Sequence, residues 1–312
     1  MVKMVNVLIT GGAGFIAFHL QKKLEGTFNV QSFDLLERLN PSQQARMRDL
    51  QHMYNQDIHQ PFLAHQTPDV LIHLAAETGI SGSLTYPEKY FNTNVAGTLN
   101  VLEQCRLHGV QYLIYASSSS VYAPNQQIMH EEANTQTQLS FYGTTKKMSE
   151  TLIENYCKQF GITAIGLRFF TVYGSFTRVD MAAFKFMQAI QHGEAVTLFN
   201  QGNVYRDFTH VSDVVTSIEK LISRIQHEPQ GSHQLFNIGY GSPISVSRYA
   251  EIIATCLNKP LLTQFKNLPA NELVSTHSNT DKLREYIGYA PTCRIEEGVL
   301  EMTDWFKRVH HE

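Results

Sequence analysis

The chain has 312 residues, 43% of them hydrophobic and 17% charged, with a formal net charge of −3. That length carries one large core or two coupled lobes. The weak charge offers no global field for nucleic acid or an anionic membrane, so recognition of an anion has to be local.

No apolar run approaches the ~20 residues of a membrane span, and the opening "VNVLIT" (5–10) meets a glycine turn instead of a small-residue cleavage site, so it reads as a first strand. "AFHLQKKLEG" (17–26) has helical periodicity with a terminal glycine, and "FNVQSFD" (28–34) is strand-like again. "DVLIHLAA" (69–76), "QYLIYASS" (111–118) and "TAIGLRFF" (163–170) are near-continuous apolar runs, separated by helical segments at 88–109 and 142–160. This alternation predicts an α/β fold, a Rossmann-type doubly wound parallel sheet with right-handed crossovers and both faces covered.

After residue 171 the alternation lapses. "MAAFKFMQAIQHG" (181–193) and "SVSRYAEIIATCLN" (245–258) predict helices of a smaller lobe. "RDFTHVSDVVTSIEKLI" (206–222) is expected to rejoin the main sheet, with Thr209–Asp213 capping a new amphipathic helix. The expected division is therefore 1–171 with 206–238 as a dinucleotide-binding domain and 172–205 with 239–312 as a smaller α/β substrate lobe. Four cysteines (Cys105, Cys157, Cys256, Cys293) without a CxxC spacing read as free thiols of a cytoplasmic protein. Fourteen histidines without an HExxH-type spacing predict no metal site.

"TGGAGFIA" (10–17) places Gly11-x-x-Gly14-x-x-Ala17 between the first strand and the first helix. Glycine tolerates the tight turn and leaves bare backbone for a pyrophosphate, while alanine at the third position is small enough for helix and strand to pack. The N–H groups and dipole of the helix then face the phosphates. Asp34 ends the second strand 17 residues beyond Ala17. A carboxylate there receives ribose hydroxyls and repels a 2′-phosphate, which selects NAD over NADP.

Tyr142-Gly-Thr-Thr-Lys146 sets a phenol and an ammonium four residues apart on one helix face. An ordinary phenol, with a pKa of about 10, is a weak base near neutrality. A neighbouring cation lowers that pKa by favouring phenolate. "ASSSSVY" (116–122) ends a strand in hydroxyls at a distance that lets Ser118 face Tyr142, with Ser119 and Ser120 beyond it.

These elements resemble the extended short-chain dehydrogenase/reductase superfamily over nearly the whole chain, through Gly11-x-x-Gly14, "HLAA" (73–76), Asn94 in "NTNVAGT", the Ser/Tyr/Lys set and "RFFTVYG" (168–174). Within it, "ASSSSVY", "YGTTKK", "GLRFFTVYG" and "RVDMAAFKF" are similar to nucleotide-sugar 4-epimerases of the UDP-glucuronate type. The resemblance implies Tyr142 as base, Lys146 on the nicotinamide ribose and Ser118 at the sugar hydroxyl. It implies a cofactor groove lined by Gly11, Gly14, Phe15, Ile16, Asp34, Asp57, Ile58, Leu74, Ala75, Ala76, Asn94, Ser117 and Phe169, with Asp57 and Ile58 bordering the adenine. On the substrate side it implies Ser118, Ser119, Thr171, Arg178, Lys185, Phe199 and Arg206, the last on the diphosphate. Homodimers through the helices near 88–109 and 142–160 are implied as well.

Neutral-sugar epimerases usually have asparagine where Thr171 stands. A shorter hydroxyl side chain leaves room for a carboxylate on carbon 5 and donates to it. The expected reaction is therefore NAD-dependent inversion at carbon 4, UDP-glucuronate to UDP-galacturonate, through a transient 4-keto sugar. The rivals are a UDP-glucose or UDP-N-acetylglucosamine 4-epimerase, a nucleotide-sugar decarboxylase or dehydratase, and a non-catalytic NAD-binding regulator. Ser119 and Ser120 stand where dehydratases carry Asp-Glu. Departures from the uronate pattern fall mainly on the substrate side: Ser81-Gly82 for Arg-Tyr, "SFTRVD" for Pro-Trp-Gly-Arg-Pro-Asp, "LPANEL" (268–273) without a Gly-Asp pair, and Ala17-Phe18 for Gly-Ser.

Overall fold

The computed structural model describes residues 4–50, 53–62 and 67–309. The first half alternates as the apolar runs predict: β1 (Asn6–Thr10), α1 (Phe15–Leu24), β2 (Asn29–Asp34), α2 (Pro41–Met47), β3 (Met53–Asn55) and β4 (Val70–His73). There follow α3 (Ile80–Thr85), α4 (Pro87–Phe91), α5 (Thr98–His108), β5 (Tyr112–Ser118), α6 (Phe141–Phe160) and β6 (Thr163–Phe169). The helix expected over 88–109 is interrupted by a π-helical stretch, Asn92–Gly97, between α4 and α5. "DVLIHLAA" is strand only to His73, because Leu74 bonds Thr10 and the chain then leaves the sheet over the glycine turn.

Beyond β6 come β7 (Thr171–Tyr173), α7 (Ala182–His192), β8 (Val196–Phe199), β9 (Tyr205–Arg206), β10 (Phe208–His210), α8 (Val211–Ile225) and β11 (His233–Ile238). The chain closes with β12 (Ile244–Ser245), α9 (Val246–Leu257), β13 (Thr263–Lys266), α10 (Asp281–Ile287) and α11 (Ile295–Val309). Seven parallel strands form the main sheet in the order β11-β6-β5-β4-β1-β2-β3, the Rossmann-type arrangement that the sequence predicts. Strand order reverses between β1 and β4, and the crevice beyond their carboxyl ends is where such sheets bind ligands.

Each face of the sheet buries its own apolar layer. Ile9, Leu20, Ile72, Leu167, Val214 and Ile218 pack beneath α1 and α8, and Leu71, Leu102, Leu113 and Ile153 beneath α5 and α6. At roughly 1.5–3 kcal/mol for each fully buried large side chain, these layers dominate the folding free energy. A second core gathers Phe186, Met187, Leu198, Phe208, Tyr249, Ile253 and Met302 from β8, β10, α7, α9 and α11.

One expectation is corrected. Residues 206–222 do not add a strand to the main sheet; β10 pairs with β7 in a separate two-stranded ribbon, and β11 takes the place beside β6. Two interactions pull the segment away. Phe208 stacks on Tyr249 with ring centroids 4.1 Å apart. The fully buried Asp207 carboxylate accepts from the N–H groups of Tyr240 (2.9 Å), Gly241 (3.1 Å) and Ser278 (2.9 Å) and from the Ser278 hydroxyl (2.5 Å). The cap of α8 is also neither Thr209 nor Asp213. His210 accepts from the Ser212 N–H, while Asp213 accepts from Tyr289, Thr292 and Cys293 and ties the 289–293 loop to the helix.

Candidate active site

Gly11 turns with φ +74°, and a Cβ there would lie 2.7 Å from the backbone of Ala75, so the glycine turn and the "HLAA" segment are in direct contact. Ala75 N–H donates to Thr10 Oγ1 at 3.2 Å, and His73 is held between Thr10 and Thr98 hydroxyls at 2.8 and 3.1 Å. Burial drives the His73 imidazole down to about 3, so it stays neutral. Gly14 is the N-cap of α1 and supplies no side-chain cap, which leaves the first N–H groups of the helix to an incoming anion. Phe15 is buried and Ile16 half-buried at the start of α1.

Asp34 accepts from Ala13 N–H at 3.0 Å and Leu35 N–H at 2.8 Å, and burial raises its carboxyl above the usual range. Each carboxylate oxygen keeps a lone pair for a ribose hydroxyl. The turn, the uncapped helix and the acid at the end of β2 thus fit a dinucleotide. Gly11→Ala should add roughly 1–2 kcal/mol of left-handed strain to this clash. The expected result is a thermal midpoint lower by several degrees and a weaker calorimetric NAD isotherm.

Three successive residues of β5 each engage α6. Ala116 C=O accepts from Lys146 Nζ at 2.9 Å, Ser117 Oγ donates to Glu150 Oε1 at 2.6 Å, and Ser118 shares a side-chain hydrogen bond with Tyr142. Gly143 is required in between, since a Cβ would sit 2.2 Å from Ser120 C=O. Ser118 also accepts from Ser120 N–H at 3.1 Å, and Ser119 opens the short turn that follows.

The electrostatics differ from the expectation that Lys146 tunes the phenol. Burial pushes Tyr142 above its ordinary pKa, with the Ser118 hydrogen bond and the charge of Arg178 acting against it. Lys146 is bound to a carbonyl and lowered to about 8 by desolvation, against the pull of Glu150. The chain's own cation acting on the phenol is therefore Arg178. Its guanidinium pairs with Asp180 at 2.9 and 2.5 Å and donates to Thr78 Oγ1. Tyr90 stands edge-on to Tyr142, ring centroids 6.2 Å apart, and its hydroxyl donates to Thr78 C=O at 2.6 Å. That phenol fills the space of a side chain at Gly82, where a Cβ would lie 2.5 Å away, which accounts for glycine at a departure from the uronate pattern.

The remaining predicted residues are dispersed around this centre. Asn94 lies in the π-helical stretch and brackets Glu77, accepting from its N–H at 2.8 Å and donating to its C=O at 3.0 Å, and it donates to Thr145 at 3.0 Å. Leu74 and Ala76 are half-buried beside Ala75. Asp57 is paired with His59 at 2.7 Å, and Ile58 packs against Gly97. Phe169 is buried in the core beneath α1 and α8. Thr171 is half-buried at the start of β7, its N–H donating to Asp207 C=O at 3.0 Å. Arg206 pairs with Glu272 at 3.0 Å, so "LPANEL" supplies its counter-ion. Lys185 and Phe199 are exposed.

Sequence reasoning missed the pair beneath the site. Arg168 and Glu150, each 2% exposed, meet at 2.8 and 3.0 Å. Arg168 also donates to Glu131 C=O at 2.7 Å and lies over the Tyr122 ring. Two signals were present: Glu150 is one helical turn beyond Lys146, and Arg168 interrupts an otherwise apolar strand. Among the described residues no cluster of His, Cys, Asp and Glu could hold a metal, and no helix is long and apolar enough to cross a membrane.

The profile of the NAD dependent epimerase/dehydratase family matches residues 7–239. The "Probable UDP-glucuronate 4-epimerase" of Rhizobium meliloti is 30% identical, the match covering 97% of both chains. Among solved structures, MoeE5 in complex with UDP-glucuronic acid and NAD is 30% identical with a TM-score of 0.87, covering 97% of this chain and 99% of that one, and MoeE5 is also known with UDP-glucose and NAD. The UDP-glucuronic acid 4-epimerase of Bacillus cereus, solved with UDP-glucuronic acid and NAD, is 26% identical with a TM-score of 0.90 over 97% and 99% of the two chains.

Proposed function

The chain belongs to the NAD dependent epimerase/dehydratase family, and on that premise we propose that it inverts carbon 4 of a nucleotide sugar, UDP-glucuronate to UDP-galacturonate. The observation that carries the proposal is the convergence of Ser118, Tyr142 and Lys146 at the carboxyl end of β5, with the charge of Arg178 acting on the phenol. Residues 1–171 with 206–238 hold the dinucleotide in this reading, and 172–205 with 239–312 the nucleotide sugar. NAD, when bound, accepts and returns the hydride, and its positive charge adds to the pull toward phenolate.

Tyr142 takes the proton of the 4-hydroxyl and returns it to the same oxygen once the 4-keto sugar has turned over to present its opposite face, with Ser118 holding the sugar oxygen at the phenol. Lys146 anchors the nicotinamide ribose through its ammonium. Arg206 turns from Glu272 to the diphosphate, with Lys185 and Phe199 at the uridine end. The 4-keto form of a uronate is a β-keto acid and loses carbon dioxide if its carboxylate stands out of the ring plane. Thr171 and Arg178 hold that carboxylate in place. A neutral sugar is the second reading, favoured by Ser81-Gly82, which removes a cation from the substrate side.

Incubating the NAD-loaded protein separately with UDP-glucuronate, UDP-glucose and UDP-N-acetylglucosamine, with products resolved by NMR, tests the proposal. UDP-galacturonate as the main product supports it; a UDP-pentose or a dehydrated sugar defeats it. Lys146 acts as a cation only while protonated, and its folded pKa lies below that of a free lysine. kcat/KM is therefore expected to fall as pH rises through about 8. Lys146→Met should lower the rate and remove that alkaline limb.

The protein works as a homodimer in the cytoplasm, where its thiols stay reduced. A second copy covers the exposed Leu99, Leu107 and Met148 of α5 and α6. Sedimentation should then give twice the chain mass.

A further inference from the structure

Arg46 has no part in the scheme above, yet it is among the largest fully buried side chains, 2% exposed at the end of α2. Its Nε donates to Ala13 C=O at 3.0 Å and its Nη1 to Phe176 C=O at 2.8 Å. No carboxylate of the described residues is in ion-pair contact with it. Asp34 attracts it and Arg178 repels it, while burial lowers its pKa to about 10. Burying an unneutralised cation is costly, and an anion brought to the glycine turn would offset that cost.

The two carbonyls belong to different loops. Ala13 is inside the glycine turn and donates its N–H to Asp34. Phe176 has φ +60°, a left-handed conformation that is strained for an aromatic residue, and stands two positions before Arg178. Its ring packs on Phe18 (4.7 Å) and Trp305 (5.3 Å), so the unusual Phe18 of α1 and the unusual "SFTRVD" loop support one another.

From this geometry we infer that Arg46 is a positioning residue: one guanidinium fastens the dinucleotide turn to the loop carrying Arg178, so that occupancy of either ligand site favours the other. An anion at the turn stabilises Arg46 where it bonds Phe176, and a nucleotide sugar that needs Arg178 in place holds Ala13 through the same group. The inference rests on the proposed NAD and UDP-sugar sites.

The test is calorimetric titration of UDP-glucuronate into NAD-loaded and NAD-stripped protein, for wild type, Arg46→Lys and Arg46→Gln, with thermal midpoints recorded alongside. Wild type is expected to bind UDP-glucuronate at least about fivefold more tightly when loaded. Arg46→Lys keeps the charge, but a single ammonium does not reproduce the planar fork that spans two carbonyls, so the ratio should fall to near one while the protein still folds. Should Arg46→Gln fail to fold, Arg46→Lys decides alone. A wild-type ratio near one, or variants that bind more weakly with the ratio intact, overturn the inference. Wild type that binds neither NAD nor UDP-glucuronate sinks the functional reading itself, whereas binding of both without coupling sinks only the role of Arg46.

Discussion

Tyr142→Phe is expected to fold, bind NAD and lose turnover by roughly 10²–10⁴-fold, the usual contribution of a positioned acid–base group. The substitution removes one oxygen and keeps the ring that faces Tyr90 edge-on. Ser118 keeps its bond from Ser120 N–H, so no buried hydroxyl is orphaned. The wild-type phenol sits above its ordinary pKa because burial outweighs Ser118 and Arg178. At neutral pH it is protonated in the ligand-free protein, and loss of its proton has to accompany ligand binding. Product NMR with UDP-glucuronate, together with an NAD isotherm on the same preparation, checks this. Full turnover by the phenylalanine variant would remove Tyr142 from the chemistry, whereas NAD binding without turnover in wild type would revive the non-catalytic regulator.

A second large effect is expected beneath the site. Arg168→Met strands the Glu150 carboxylate, 2% exposed, with the Ser117 hydroxyl and Lys147 as its remaining partners. Breaking a buried pair from one side costs about 3–5 kcal/mol, a large share of the ~5–15 kcal/mol that holds a typical domain folded. The double variant Glu150→Gln with Arg168→Met removes both charges and should regain most of that loss. Urea denaturation of the single and double variants measures the difference. A single variant within about 1 kcal/mol of wild type would show that the pair contributes little, as exposed pairs do.

The pair also has a pH signature. Arg168 and the Ser117 hydrogen bond hold Glu150 below the usual carboxylate range despite its burial. Its stabilising contribution is therefore complete above the unfolded carboxyl pKa and is lost as pH falls through the lower folded value. Wild-type stability should decline on acidification, and the double variant should decline less.

Much of this molecule could be read along the chain because the relevant forces are local. A run such as "VNVLIT" is short, mostly apolar and rich in β-branched residues, so it becomes a strand, and Gly11 is demanded by a positive φ inside its own turn. The spacing of Tyr142 and Lys146 follows from 3.6 residues per turn. What resisted such reading depends on partners far apart in sequence. Arg168 looks like a misplaced charge until β6 lies beside β5 and brings it to Glu150. The path of residues 206–222 is set by Asp207, whose carboxylate collects donors from 240, 241 and 278, and no local pattern encodes that meeting. Nor does helical spacing show that Lys146 would turn to Ala116 and leave Arg178 facing the phenol. Strand identity, turn geometry and helix faces were settled by neighbours within a few positions. The pairing of buried charges was settled only by packing, since a charge leaves water only where the fold delivers its counter-charge or hydrogen-bond partners.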